Sequence, residues 1–278
     1  MRLFSQTFII LAMSVNFAFL DSGTGGLPYL KYLKAERPDS ACVYVGDTKN
    51  FPYGEKTAGQ IIEKSCGCAE KIIKKWNPDA VVVACNTISV SALDELRRRF
   101  PGTPFVGTVP AIKPAAKLTE TGKIGLLATN ATVNHPYTKK LISDFAGGCE
   151  VFSLGAPELI SFIEHRYYFA SHEERVAAAK DSCEFFRKNG CDVIVLACTH
   201  FLNMADEIKE AAGNGIKVVD SRDGVTRHAF EVVPAEKISA GGGFHSELYV
   251  TGFTECNDSQ RYLSFCRQNG MKFGGLLE

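Results

Sequence analysis

The chain has 278 residues, and its 31 Lys plus Arg balance 31 Asp plus Glu to a formal net charge of zero. That balance argues against a protein built around a polyanion field, so no nucleic-acid partner is expected, because such binders carry a basic surplus. Apolar residues at 45% and charged residues at 22% suit a globular chain with an ample core, and the length suggests about two domains. The ten cysteines are the unusual feature: Cys42, Cys66, Cys68, Cys85, Cys149, Cys183, Cys191, Cys198, Cys256 and Cys266. A chain of this size folds on its core without a disulfide framework, so the question becomes which thiols do chemistry. No C-x2-C pair is present, and Cys66-Gly67-Cys68 has no matching second pair, so no metal site is expected.

The first segment, Met1 to Ala18, has one Arg and an apolar run from Phe8 to Val15, too short to span a bilayer as a helix. Val15 to Leu20 runs straight into Asp21-Ser22-Gly23 and reads as a strand feeding a glycine loop. Cleavage after Ala18 would remove most of that strand. The expectation is therefore a cytoplasmic protein with no membrane partner, with Met13 as an alternative start and residues 1–12 as an extension.

Further along, short apolar runs alternate with helical patterns. Phe17–Leu20, Cys42–Val45, Ala80–Ala84 and Pro104–Gly107 read as one set of buried parallel strands. Ile124–Ala128, Val151–Leu154, Val193–Ala197 and Lys217–Val219 read as a second. Helical candidates between them include Ile61–Trp76, Ser89–Phe100 and His172–Asn189. This alternation predicts an α/β fold with mainly parallel sheets flanked by helices. A weak internal repeat aligns Asp79-Ala-Val-Val-Val-Ala-Cys85 with Asp192-Val-Ile-Val-Leu-Ala-Cys198. Two similar lobes related by a pseudo-two-fold would place those cysteines across one cleft, at the carboxyl ends of the strands. The bland alternative is convergent strand composition. The tail, with strand character at Glu247–Gly252 and a helix over Ser259–Gln268, is expected to return to the first lobe. The predicted lobes are 13–108 with 223–278, and 109–222.

Asp21-Ser22-Gly23-Thr24-Gly25-Gly26 is a glycine-rich strand-to-helix turn that lacks both a dinucleotide fingerprint and a Walker lysine. Cys85-Asn86-Thr87 and Cys198-Thr199-His200 carry more information. A thiol at a helix N-terminus has its thiolate favoured, lowering a pKa of about 8.5, and His200 with an acid can shuttle its proton. A single strand-end cysteine is ordinary small-residue packing; two at equivalent positions, each followed by polar side chains, point to chemistry.

These blocks resemble the glutamate racemases of the aspartate/glutamate racemase superfamily. The matching segments run in order: Asp21-Ser22-Gly23, Gly46-Asp47 with Pro52-Tyr53-Gly54, Ala84-Cys85-Asn86-Thr87, Gly107 to Ala111, Ala128-Thr129 with Thr132, Pro157 with Glu164, Cys198-Thr199-His200, and Asp220-Ser221. The Pro-Tyr-Gly segment points to glutamate. Four positions depart from the family pattern and bear on pocket shape and rate: Ala197 for Gly, Phe201-Leu202 for Tyr-Pro, and Ala156 for Cys.

The resemblance implies a two-base racemisation that uses neither pyridoxal phosphate nor metal, supplying D-glutamate for peptidoglycan. It assigns Cys85 to deprotonate D-glutamate and Cys198 to deprotonate L-glutamate. Asp21 serves the first thiol, and Glu164 with His200 the second. Substrate contacts are expected from Ser22, Pro52, Tyr53, Gly54, Asn86, Thr87, Thr129, Thr132 and Thr199. Family members are often dimers, so a homodimer is a further expectation. The competing readings are a racemase of aspartate or another amino acid, and a non-catalytic amino-acid-binding module.

Overall fold

In the computed structural model, which describes residues 15–238, 246–254, 256 and 258–278, strands and helices alternate. The extension over residues 1–12 lies outside the described residues. The first stretch comprises β1 (Phe17–Asp21), α1 (Leu27–Glu36), β2 (Cys42–Gly46), α2 (Ala58–Trp76), β3 (Ala80–Val83), α3 (Asn86–Arg99) and β4 (Phe105–Gly107). The second begins with α4 (Ile112–Leu118), β5 (Lys123–Ala128), α5 (Asn130–Asn134), α6 (Pro136–Ala146) and β6 (Glu150–Gly155). It continues through α7 (Pro157–His165), α8 (His172–Lys188), β7 (Val193–Ala197), α9 (Ala205–Ala212) and β8 (Lys217–Val219). The chain ends with α10 (Arg222–Val232), β9 (Glu247–Val250), α11 (Asp258–Gln268) and β10 (Lys272–Leu276).

Two parallel sheets result, in the orders β10-β9-β2-β1-β3-β4 and β6-β5-β7-β8. The run β2-β1-β3-β4 and the run β6-β5-β7-β8 have the same doubly wound order, the structural counterpart of the sequence repeat. β1, β2, β3 and β7 are buried at every residue, as their near-continuous apolar composition requires in a sheet covered on both faces. One core lies between the first sheet and α2 with α3, and another between the second sheet and α4 with α6. A third, containing Phe19, Leu159, Phe186 and Phe201, is continuous between the two lobes.

Three expectations need correction. The first sheet carries a further strand, β10, beyond the β9 that pairs with its β2 edge. β10 was not foreseen: Lys-Phe-Gly-Gly-Leu is glycine-rich and half exposed, and an edge strand needs little apolar content. Helix starts also lie earlier than the apolar periodicity suggested. α2 opens at Ala58 under a Thr57–Gln60 capping box, and α3 opens at Asn86 with Cys85 at its N-cap; polar first turns carry no apolar signal. Finally, Cys198 is followed by a 3₁₀ helix, Thr199–Met204, and not directly by an α-helix.

Among the described residues, no helix is long and apolar enough to cross a membrane. All ten cysteines are free, and Cys66 and Cys68 are buried positions of α2.

Candidate active site

In a doubly wound sheet the chain crosses from one side to the other between the first and third strands, leaving a crevice at their carboxyl ends. Ser22 follows β1, and Cys85 follows β3. In the second sheet Thr129 follows β5 and Cys198 follows β7. The two crevices open onto one cavity of about 300 Å³ whose walls include Ser22, Cys85, Asn86, Thr87, Thr129, Cys198, Thr199 and His200. Pro52, Tyr53 and Gly54 add a further wall. Their segment is anchored from beneath by Asp47, whose carboxylate accepts hydrogen bonds from Tyr53, Asn50 and Thr251.

Each thiol has its own polar relay. The Cys85 Sγ lies 3.6 Å from the Ser22 Oγ, and the Ser22 Oγ and backbone N–H both donate to Asp21 Oδ1, at 3.4 and 2.7 Å. Asp21 Oδ2 accepts from the Tyr44 hydroxyl and the Gly26 N–H, each at 2.8 Å. Burial holds the Asp21 carboxyl above the usual carboxylate range, against the opposing pull of His200, Tyr44, Gly26 and Ser22. Burial, reinforced by Asp21, also pushes the Cys85 thiol well up, despite donors from the Ile88 N–H and Ser22. The helix N-terminus therefore does not make Cys85 acidic as its position suggested: desolvation of a charge outweighs a few peptide dipoles. Cys85 rests as a thiol.

The other relay carries opposite charge. His200 Nδ1 lies 3.8 Å from the Cys198 Sγ, and Nε2 lies 2.9 Å from Glu164 Oε2. Burial works against both charges of this pair. For Glu164 it is overcome by the His200 hydrogen bond and charge, with help from Arg261 and the Thr24 N–H, leaving the carboxyl at about 2. For His200 it is overcome by the hydrogen bonds to Cys198 and Glu164, which hold the imidazole well above its usual range. The imidazolium then donates from both nitrogens, to the carboxylate and to the sulfur. Phe51 packs over the ring, with centroids 5.6 Å apart.

Asn86 is 2% exposed, and neither its amide nitrogen nor its carbonyl oxygen has a hydrogen-bond partner within the protein. A buried polar group left unpaired costs about 1–3 kcal/mol, so an amide held this way on a cavity wall suits a ligand with both donors and acceptors. Thr87, Thr129 and Thr132 form an adjoining hydroxyl cluster, with oxygen separations of 3.0 to 3.5 Å.

The family model for Asp/Glu/Hydantoin racemase matches residues 29–229. The chain belongs to this racemase family. The glutamate racemase of Treponema pallidum is 38% identical over 264 residues, covering 95% of this chain and 97% of its own length. That of Proteus mirabilis is 40% identical over 228 residues, covering 78% and 76%. Escherichia coli glutamate racemase, solved with L-glutamate and the activator UDP-MurNAc-Ala, superposes with a TM-score of 0.82 at 30% identity, covering 94% and 98% of the two chains.

In this racemase most residues given a catalytic or substrate-binding role in the sequence line the cavity, but three of them do not. Asp21 stands behind Ser22, Glu164 stands behind His200, and Thr132 donates its backbone N–H to the Oγ1 of Thr129, the residue that caps α5. Asp220 and Ser221 lie away from the cavity: Asp220 pairs with Arg222, and Ser221 meets the Tyr29 hydroxyl at 2.7 Å. Sequence reasoning missed Phe51, Glu55, Asn130, Ile160, Ser161 and His165, which also line it. They fall in loop and helix positions whose local pattern carries no functional signal. Ala156, Phe201 and Leu202 are buried apolar residues of the shared core, so these departures sit in the packing around the site.

Proposed function

We propose that this amino-acid racemase interconverts L- and D-glutamate by two-base proton transfer, supplying D-glutamate for cell-wall synthesis. The observation that carries the reading is the pair of cysteines, each at the switch point of one of two equivalent sheets and each on the wall of the same cavity. Inversion requires a base on one face of Cα and an acid on the other. In the L-to-D direction the Cys198 thiolate takes the Cα proton, and the C–H electron pair enters the α-carboxylate as an enediolate. The Cys85 thiol then delivers its proton to the opposite face, leaving Cys85 as thiolate and Cys198 as thiol. The reverse direction restores the resting state, and the Ser22–Asp21 and His200–Glu164 relays carry protons between turnovers.

Among the described residues, no Lys or Arg side chain lines the cavity. The carboxylates are therefore held by the Asn86 amide and by hydroxyls of Ser22, Thr87, Thr129 and Thr199, with Pro52-Tyr53-Gly54 shaping the side-chain end. Neutral donors aimed at the developing enediolate stabilise it without binding the ground state tightly. The lobe division 13–108 with 223–278 and 109–222 is supported by the membership of the two sheets, and a reducing, cytoplasmic compartment by ten free thiols.

The direct test follows the α-proton of L- and D-glutamate by NMR in heavy water, with optical rotation in parallel. The expected result is loss of the α-proton together with inversion from either enantiomer. Faster turnover of aspartate than glutamate overturns the substrate, and binding without exchange overturns the enzyme reading.

A pH prediction follows from the ion pair. Glu164 raises the His200 pKa and His200 lowers that of Glu164 to about 2. Stabilisation from the pair is therefore complete between the ordinary carboxyl value of 4.5 and the unfolded imidazole value of about 6.5. It is lost as pH rises through the folded imidazole value and as pH falls through the folded carboxyl value. Glu164→Gln lowers that folded value. Its rate profile is expected to lose activity at a lower alkaline pH than wild type; an unmoved alkaline limb contradicts the assignment.

A further inference from the structure

The carboxylate that charges His200 is not held by its own lobe alone. Glu164 lies on α7 of the second lobe, yet its Oε2 accepts the Thr24 hydroxyl at 3.0 Å and the Thr24 N–H at 3.3 Å, both from the loop after β1 in the first lobe. The same oxygen is 2.9 Å from His200 Nε2. The neighbouring glycines bring this loop close: a Cβ on Gly23 would lie 3.1 Å from Glu164 Oε2, and one on Gly25 would lie 2.4 Å from His200 Nδ1. Asn203, three residues after His200, returns a bond of 3.0 Å to the Gly25 carbonyl. Thr24 is itself 7% exposed and does not line the cavity, so it does not touch substrate.

We propose that Thr24 is a positioning residue for the Cys198 base: supplied from the opposite lobe, it fixes the Glu164 carboxylate that orients and charges His200. The inference rests on the two-base reading and refines it. A relay assembled from two lobes is complete only while the lobes are packed together. The hydrogen bonds of the Cys85 relay have no such dependence, because Ser22, Asp21, Tyr44 and Gly26 all belong to its own lobe. The proposal therefore predicts an effect on one half of the reaction.

Thr24→Val preserves shape and the backbone N–H while deleting the hydroxyl donor. Charge-assisted hydrogen bonds are stronger than neutral ones, and kcat/KM is expected to fall about tenfold. It must fall equally in both directions, because two enantiomers have an equilibrium constant of one. The isotope effects separate the halves. With α-deuterated L-glutamate, where Cys198 acts first, the effect on kcat/KM is expected to grow. With α-deuterated D-glutamate, where Cys85 acts first, it is expected to shrink. Thr24→Ser is expected to restore both values. A loss of lobe packing alone would lower the rate without redistributing the isotope effects. Wild-type isotope effects in Thr24→Val, or no rescue by serine, overturn the proposal. Absence of α-hydrogen exchange in the wild-type protein overturns the two-base reading with it, so the two failures are distinguishable.

Discussion

Cys85→Ala and Cys198→Ala are each expected to reduce racemisation by about 10³-fold or more, the upper part of what a positioned acid or base contributes. Both side chains are buried, at 5% and 6% exposure, yet both reach the cavity, so their loss removes a reacting group with little exposed surface disturbed. The two variants should differ in what survives. Cys85→Ala retains the Cys198–His200–Glu164 relay and is expected to exchange the α-proton of L-glutamate slowly, returning deuterium to the same face without inversion. Cys198→Ala, left with a thiol that burial and Asp21 hold in its neutral form, is expected to show far less exchange from D-glutamate. Normal racemisation by either variant, with circular dichroism confirming the fold, contradicts the two-base assignment.

Gly25→Ala is the second change expected to have a large effect. The added methyl would lie 2.4 Å from His200 Nδ1, 2.6 Å from Cγ and 2.7 Å from Cε1. An imidazole held by Glu164 on one nitrogen and adjacent to Cys198 on the other cannot swing aside without breaking its relay. Phe51 blocks the ring from another side. Overpacking of this kind costs about 1–3 kcal/mol of stability, and the displaced relay should lower kcat/KM by about 10²-fold. Gly67→Ala is the control: it sits within α2 with no atom near its added Cβ, so it should raise helix propensity and leave the rate unchanged. Equal behaviour of the two glycine variants in thermal melts and initial rates would contradict the steric argument.

Much of the architecture was legible because it is written in local patterns. Phe17-Ala-Phe-Leu20 and Val193-Ile-Val-Leu-Ala197 are short apolar runs rich in aromatic or β-branched residues, the pattern of a strand covered on both faces. The alignment of Asp79–Cys85 with Asp192–Cys198 foreshadowed the shared strand order of the two sheets. β10 escaped because its Gly274 and Gly275 dilute the strand signal, and because the edge position that tolerates them is defined only by pairing with β9. The positions of Asp21, Glu164 and Thr132 were found by resemblance, but not their placement behind the residues that line the cavity.

The alternation of strands and helices, and the placing of Cys85 and Cys198 at strand ends, are local properties, because each depends on side chains a few residues apart. The ionisation of Cys85 is settled by the folded surroundings instead. Cys85 reads as an acidic helix-start cysteine in one dimension, and becomes a neutral thiol once burial and Asp21 surround it. Thr24 reads as one residue of a glycine turn and becomes a donor to a carboxylate 140 positions away. Ionisation follows from dielectric and from charges nearby in space, and both are set when the two lobes pack together.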